Sequence, residues 1–478
     1  VAAPDAETAV DLLRGAAEAH GARSAYVEPG RRLSFAEWDR AADGLAAFML
    51  DHGVQPGDVV VLVLPSSIDY AICYQAAMRV RAITSGINPR LGPGEQASIL
   101  ERTTPRLVVR DDDLARIRAE YARPVPRLPT PRADDPVAIV WTSGTTGMPK
   151  GAVFDHANLA AVAVGAGAMG VEFDRRIVPV PFAHVGYMTR PWEEIGKVIT
   201  TIVPATPWTA AETLSLIETE RVTVGQGVPT QWRLAMDHAH FATTDVSSLR
   251  IAGTGAASVP PELVREMQER LGCPVVIGYT STEAAITSGT VPGDSPEVIS
   301  RTVGRARVNV ELEVVDDDGR ACAPGAIGRV RCRSGAVMRG YWRDPERTAE
   351  VLDPQGWLTT GDAGFLDDNG YLTLVGRKSE MYIRGGYNVY PAEVERVLFL
   401  HADIADVAVV GVPDRVLGEI GVAFVVAAPG ATPDLDALRG FCREVLADYK
   451  APDRLRLVEH LPVTSVGKVD KRALLALW

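Results

Sequence analysis

The chain has 478 residues, of which 46% are hydrophobic and 23% charged, enough length and apolar content for several packed domains. Its 49 Lys and Arg against 61 Asp and Glu leave a net charge of −12, which argues against nucleic acid or an anionic membrane as the main partner. Cys73, Cys273, Cys322, Cys332 and Cys442 are odd in number and scattered, so reduced thiols fit better than a disulfide or zinc framework.

No apolar run reaches the roughly 18 residues of a membrane span, and the first ten residues lack a basic flank and an apolar core of signal length. A cytoplasmic protein without integral membrane contact is the expectation.

Ser34 and Glu37 form a capping box ahead of an amphipathic helix that runs to Leu50 and closes at Gly53. A buried strand at 59–64, a helix at 68–80 and a short strand before Asn88-Pro89 set a β-α-β rhythm. The chain then reaches A-I-V-W-T-S-G-T-T-G-M-P-K, residues 138–150, where a strand-like run breaks into small hydroxyl residues and glycines ending in a lysine. Glycines let backbone N–H groups approach an anion, hydroxyls add donors, and Lys150 supplies a mobile positive charge. A plain surface linker does not need a preceding strand or that density of Ser and Thr. The spacing is not that of a Walker A loop, because no G-x-x-x-x-G-K is present and no Ser or Thr follows the lysine.

Strands are expected at 176–180, 198–203, 222–224, 249–252 and 274–277. Helices are expected after the Thr209/Glu212 capping box and at 260–271, the latter ended by Gly272. His238 and His240 read as solvated residues on a helix rather than metal ligands. Two stretches mimic dinucleotide fingerprints: G-A-G-A-M-G at 165–170 and the strand, G-T-G-A-A-S, helix pattern from Leu249. The first follows an Ala-rich helical stretch and the second lacks the third glycine, so a nicotinamide-dependent oxidoreductase is the weaker alternative.

Directly after a buried strand, G-Y-T-S-T-E (278–283) occupies the position where α/β sheets place ligand residues. By itself it has a weaker alternative, a helix start capped by Ser281 or Thr282. From Asn309 to Arg333 alternating strands flank an Asp-Asp-Gly turn, a small β-rich subdomain. After Gly376 comes a piece of domain size with strands at 381–383, 407–412 and 422–426. The fold class is therefore α/β: a large N-terminal domain of layered sheets (1–376) with that β-rich subdomain, a hinge at 377–380, and a small mobile α+β C-terminal domain (381–478).

T-S-G-T-T-G-M-P-K-G resembles the phosphate-loop signature of the adenylate-forming enzymes, the acyl-CoA synthetases, luciferases and peptide-synthetase adenylation domains. Four further motifs in order extend the resemblance from about residue 30 to the end. It implies that Thr142, Ser143, Gly144, Thr145, Thr146, Gly147 and Lys150 hold ATP phosphates. It also implies that Tyr279 flanks adenine, Thr282 touches the α-phosphate and Glu283 holds Mg²⁺, a hard cation suited to one carboxylate and several phosphate oxygens. Gly253, Gly255 and Ala256 match the Gly-rich loop against adenine and the acyl pocket, and Thr280 falls beside the nucleotide. Asp362 in T-G-D matches the ribose-binding aspartate, and Arg377 the arginine that opens the hinge. His184, structural on its own residues, matches a gating histidine; Lys468, a surface lysine on its own, matches the catalytic lysine. Gly385 and Gly386 are placed on the pantetheine path, and Tyr187, Met188, Gly225, Gly253 and Gly278 around the acyl group.

The implied activity is an acid–CoA ligase, with ATP, Mg²⁺ and coenzyme A, acting on a fatty, aryl or polycyclic acid. P-F-A-H-V-G-Y-M has no aspartate to pair with a substrate amine, which favours a simple carboxylic acid over an amino acid. Three positions depart from the pattern. Thr280 stands for a glycine, Ser379 for the usual Asp or Lys of the hinge, and Ala183 for an aromatic before the histidine. Thr280 opens the alternative of a variant that only transfers a supplied acyl-adenylate to CoA; a stand-alone acid-AMP ligase is a separate alternative.

Overall fold

The computed structural model describes residues 5–125, 127–142, 149–255, 259–464 and 469–478. Ser143, Gly144, Thr145, Thr146, Gly147, Ala256 and Lys468 therefore lie outside the described residues.

Two large sheets carry the N-terminal part. The first runs, edge to edge, through Arg305–Ala306, Ser288–Gly289, Val275–Tyr279, Ile251–Thr254, Val224–Gln226, Arg175–Ile177, Thr200–Ile202, Ser24–Glu28 and Arg31–Ser34. The second runs through Gly340–Tyr341, Gly151–Asp155, Pro136–Trp141, Ile83–Gly86, Val59–Val63 and Leu107–Arg110. Their central strands pair in parallel, as the expected β-α-β rhythm requires, whereas Gly151–Asp155 and Ser288–Gly289 are antiparallel to their neighbours. The helix Ile68–Arg79 is buried on every residue, which is why its sequence shows no polar face.

Local signals explain several boundaries. The Ser34 capping box is complete, with the hydroxyl accepting from Glu37 N–H and the Glu37 carboxylate accepting from Ser34 N–H, before the helix Phe35–Asp51. The helix Pro261–Leu271 ends at Gly272, whose φ of 66° is the left-handed conformation glycine adopts freely. Thr209 caps Ala210–Thr219, but Glu212 turns away and accepts from Ala205 N–H, so that capping box is only half formed. His238 and His240 lie beyond the helix Pro229–Met236, not on it, with their rings edge to face.

A four-stranded antiparallel sheet, Glu311–Val315, Gly328–Arg333, Leu358–Leu366 and Leu372–Arg377, forms the β-rich subdomain. After Arg377 a separate sheet is built from Tyr387–Val389, Tyr382–Arg384, Gly418–Ala427 and Ile404–Asp414, with Arg454–Leu457 beside Gly418–Ala427. Its two faces bury distinct apolar clusters, one around Val409 and Leu438 and the other around Phe424 and Leu474. Among the described residues no helix is long and apolar enough to cross a membrane.

Candidate active site

The ends of the 143–149 segment are clasped. Thr142 N–H donates to the Lys150 carbonyl at 2.9 Å, and Lys150 N–H donates to Thr142 Oγ1 at 3.2 Å. They can meet because the strand before the loop, Pro136–Trp141, is followed by an antiparallel one, Gly151–Asp155, with Trp141 opposite Gly151. The loop is thus a hairpin connection, which a reading in β-α-β units passes over. No helix N-terminus follows it, because Gly151 opens a strand.

Lys150 Nζ sits 4.7 Å from the ring centroid of Tyr341, and the Tyr341 hydroxyl donates to Glu283 Oε1 at 2.7 Å. The Glu283 carbonyl accepts from Met338 N–H at 2.8 Å. Glu283 is thereby oriented from two sides and joined through one aromatic ring to Lys150. Tyr341 comes from a two-residue strand paired with Gly151–Asp155. Sequence reasoning missed it; the only local signal was an unexplained Gly-Tyr-Trp before a helix start.

Residues 280–285 form a turn, not a helix start. Ser281 Oγ accepts from Ala284 N–H, and Ala285 leaves the turn at a φ of 54°. Thr280 is exposed, and Thr282 and Glu283 are half-buried. Tyr279 is 7% exposed, packed with Val314, Val330 and Leu372, and its hydroxyl donates to Asp362 Oδ2. Burial and the Asp362 charge hold the phenol well above its usual range, so it remains a donor. Arg377 Nε lies 3.3 Å from Asp362 Oδ1, its register partner in the subdomain sheet. The implied adenine, ribose and hinge residues are therefore in direct contact.

In the 377–380 segment expected to be a hinge, Lys378 Nζ pairs with Asp317 of the subdomain at 3.0 Å, whereas Glu380 pairs with Lys471 at 2.8 Å in the C-terminal helix Lys471–Leu477. Exposed Ser379 stands between two residues anchored to different bodies. Lys471, also 2.9 Å from Glu395, keeps a raised pKa because the two carboxylates outweigh its burial.

Gly385 and Gly386 form the two-residue turn between Tyr382–Arg384 and Tyr387–Val389, with φ of 57° and 90°. Both glycines thus have a backbone reason to be there. His184 caps the short helix Val185–Met188: its Nδ1 accepts from Gly186 N–H at 3.2 Å, leaving the proton of a neutral ring on Nε2.

The acyl-pocket residues divide. Tyr187 and Met188 are corrected: both are core residues, 1% and 0% exposed, and Tyr187 stacks on Phe182 with ring centroids 3.5 Å apart. Apolar side chains near a site motif read alike whether they line a pocket or fill a core. Gly225 is glycine for packing, since a Cβ there would fall 2.6 Å from Trp232 Cη2. A Cβ at Gly253 would fall 2.8 Å from Met169 Cε, whereas one at Gly278 would meet nothing nearer than 4.0 Å. His184, Gly253 and Gly278 remain as candidate walls.

Residues 13–342 match the family model of AMP-binding enzymes, and 393–468 match that of the AMP-binding enzyme C-terminal domain. A 3-[(3aS,4S,7aS)-7a-methyl-1,5-dioxo-octahydro-1H-inden-4-yl]propanoyl:CoA ligase of Rhodococcus jostii is 34% identical, covering 98% of both chains. An indoleacetate–CoA ligase of Aromatoleum aromaticum is 34% identical over 94% of each. Among solved structures, an amide bond synthetase of Marinactinospora thermotolerans superposes with a TM-score of 0.88 at 29% identity, covering 98% of this chain and 100% of that one. With both family regions in order along one chain, and the same architecture in its structural neighbours, the protein belongs to the AMP-binding enzymes of the adenylate-forming superfamily.

Proposed function

We propose that the protein activates a carboxylic acid with ATP and transfers the acyl group to coenzyme A. In the first step a carboxylate oxygen attacks the α-phosphorus and pyrophosphate leaves. In the second the CoA sulfur attacks the acyl carbon of the mixed anhydride and AMP leaves. One observation carries this reading: two linked contact chains, Lys150–Tyr341–Glu283 and Tyr279–Asp362–Arg377, meet within the five-residue span from Tyr279 to Glu283. The first suits phosphate charge and the second a nucleoside.

Glu283 fits Mg²⁺. One of its oxygens is held by Tyr341, the side chain is half-buried, and no cluster of three or more metal-ligating side chains occurs among the described residues. A cation held there would rely on phosphate oxygens and water, the ligation Mg²⁺ favours, and would offset charge on the phosphates. Lys150, Thr282 and Lys468 are assigned to the same charge, His184 to the substrate carboxylate, and Gly385-Gly386 to the path of the thiol.

The two steps need different partners at one cleft. Rotation about Ser379 would leave both the Lys378–Asp317 and the Glu380–Lys471 pairs intact, because each lies wholly on one side of it. The acid class stays fatty, aryl or polycyclic, since relatives are named as ligases of an indenyl propanoate, of indoleacetate and of long-chain fatty acids.

The test is pyrophosphate release with ATP, Mg²⁺ and a panel of fatty, aryl and polycyclic acids, with and without CoA, beside an assay supplied with synthetic acyl-adenylates. The two-step ligase requires pyrophosphate and acyl-CoA from the same acid. Acyl-CoA formed only from supplied adenylate would point to Thr280 and to a thiolation specialist.

A further inference from the structure

Arg307 follows the edge strand Arg305–Ala306 and is half-buried, and its guanidinium makes no ion pair among the described residues. Its Nε is buried and unpartnered. Such a group is costly, since a buried donor of a charged fork forgoes water without gaining a bond.

The surroundings hold the fork open rather than neutralise it. Arg307 N–H donates to the Thr287 carbonyl at 3.0 Å, fixing the stem. The guanidinium lies over Gly289, where a Cβ would overlap it, and a Cβ at Gly167 would fall 3.2 Å from Nη1. Its charged neighbours are otherwise occupied. Arg190 is 3.1 Å from Glu193, which also pairs with Arg176 at 2.7 Å. Asp294, in electrostatic range, accepts from Tyr371 OH and Val291 N–H. Burial, then the like charge of Arg190, depresses the Arg307 pKa, consistent with a cation lacking a counter-charge.

Its position relates it to the acyl pocket. Gly289 is the register partner of Gly278, and Gly167 shares a single 3-10 turn with Met169, whose methyl covers Gly253. Arg190 lies six residues after His184. Arg307 thus lies over Gly289, beside Gly278, whose own Cβ direction is open, so the guanidinium borders that candidate wall.

We propose that Arg307 is a specificity-determining residue that hydrogen-bonds an acceptor oxygen, keto or carboxylate, carried by the acyl substrate at the end away from its reacting carboxyl group. The assignment rests on the acid-activating reading of the site.

The test uses matched acids, each with a distal keto or carboxylate group or with a methylene in its place, and the wild type beside Arg307→Met and Arg307→Lys. Wild type should favour an acceptor-bearing acid by about tenfold to a hundredfold in kcat/KM, the range expected when a buried polar group loses its partner. Arg307→Met should lose that preference through the KM of the acid alone, with KM for ATP and CoA unchanged and the methylene acid retained; Arg307→Lys should recover part of it. Which of the two acceptors is favoured tells a ketone from a second carboxylate. No preference in the wild type, or equal losses for both acids in Arg307→Met, would overturn the proposal.

Calorimetric binding of the corresponding non-hydrolysable acyl-adenylate analogues to the wild type and both variants reads the same preference without turnover. It separates failure of this assignment from failure of the two-step reaction, and the wild-type comparison stands even if Arg307→Met does not fold.

Discussion

The Tyr279 hydroxyl donates to the Asp362 carboxylate across 83 residues of sequence, joining the large sheet to the β-rich subdomain. Since Arg377 takes the other oxygen of Asp362, this one carboxylate is oriented by a core tyrosine and by an arginine at the end of the subdomain sheet together. Tyr279→Phe keeps the ring among Val314, Val330 and Leu372 but removes the donor. Stability should fall by about 1–2 kcal/mol. The KM for ATP should rise about threefold to tenfold with kcat nearly unchanged, because uniform binding is what is lost. Pyrophosphate-release kinetics at varied ATP check this; an unchanged KM would detach Asp362 from the nucleotide.

Tyr341 makes a second, separable prediction. Tyr341→Phe retains the ring under Lys150 but frees Glu283 Oε1. The Mg²⁺ concentration for half-maximal pyrophosphate release should rise several-fold, while Glu283→Gln should lower kcat about a hundredfold, the cost of losing one charge-stabilising group. Chelation of Mg²⁺ should abolish release. If both variants titrate with Mg²⁺ like the wild type, Glu283 does not hold the cation.

Much of this framework was legible in the chain because it is encoded locally. The Ser34–Glu37 box, the all-apolar strand Val59–Val63 and the left-handed Gly272 each declare themselves within a few residues. The motifs that carry the family resemblance were legible for the same reason. What escaped was made by pairing at a distance: Gly151–Asp155 is a strand because Pro136–Trp141 lies beside it, and Tyr341 reaches Glu283 only through that strand. Tyr187 shows the converse limit, since nothing within V-G-Y-M distinguishes a ring stacked on Phe182 from one facing substrate. Arg307 was overlooked because its meaning lies in the partners it lacks.

Glu194 predicts a pH dependence of stability. Burial raises its carboxyl to about 7 from 4.5; Arg176 pulls it down and Glu193 adds to the rise. Between about pH 4.5 and 7 the folded protein therefore holds a proton that the unfolded chain releases, and stability falls as pH rises through that window. The contribution is on the order of 3 kcal/mol. Glu194→Gln should melt close to the wild type at pH 5 and progressively above it towards pH 8. A melting-temperature difference that stays constant from pH 5 to 8 would assign the titration to another group.

The Gly385-Gly386 turn separates two roles that coincide in one place. Arg384 and Tyr387 pair directly, so the two glycines must both take positive φ, which explains them without any ligand. Asparagine also tolerates such a turn. A Cβ at Gly386 would meet nothing within 4 Å, so Gly386→Asn should fold with a stability loss of about 1 kcal/mol or less. If the turn also borders the thiol path, the added side chain should slow acyl transfer from supplied adenylate to CoA by about tenfold or more, the scale of a small misplacement of reacting groups. Acid-dependent pyrophosphate release should be spared, because the first step needs no thiol. Equal rates for both half-reactions in Gly386→Asn and the wild type would leave the glycines with the turn alone and move the thiol path elsewhere.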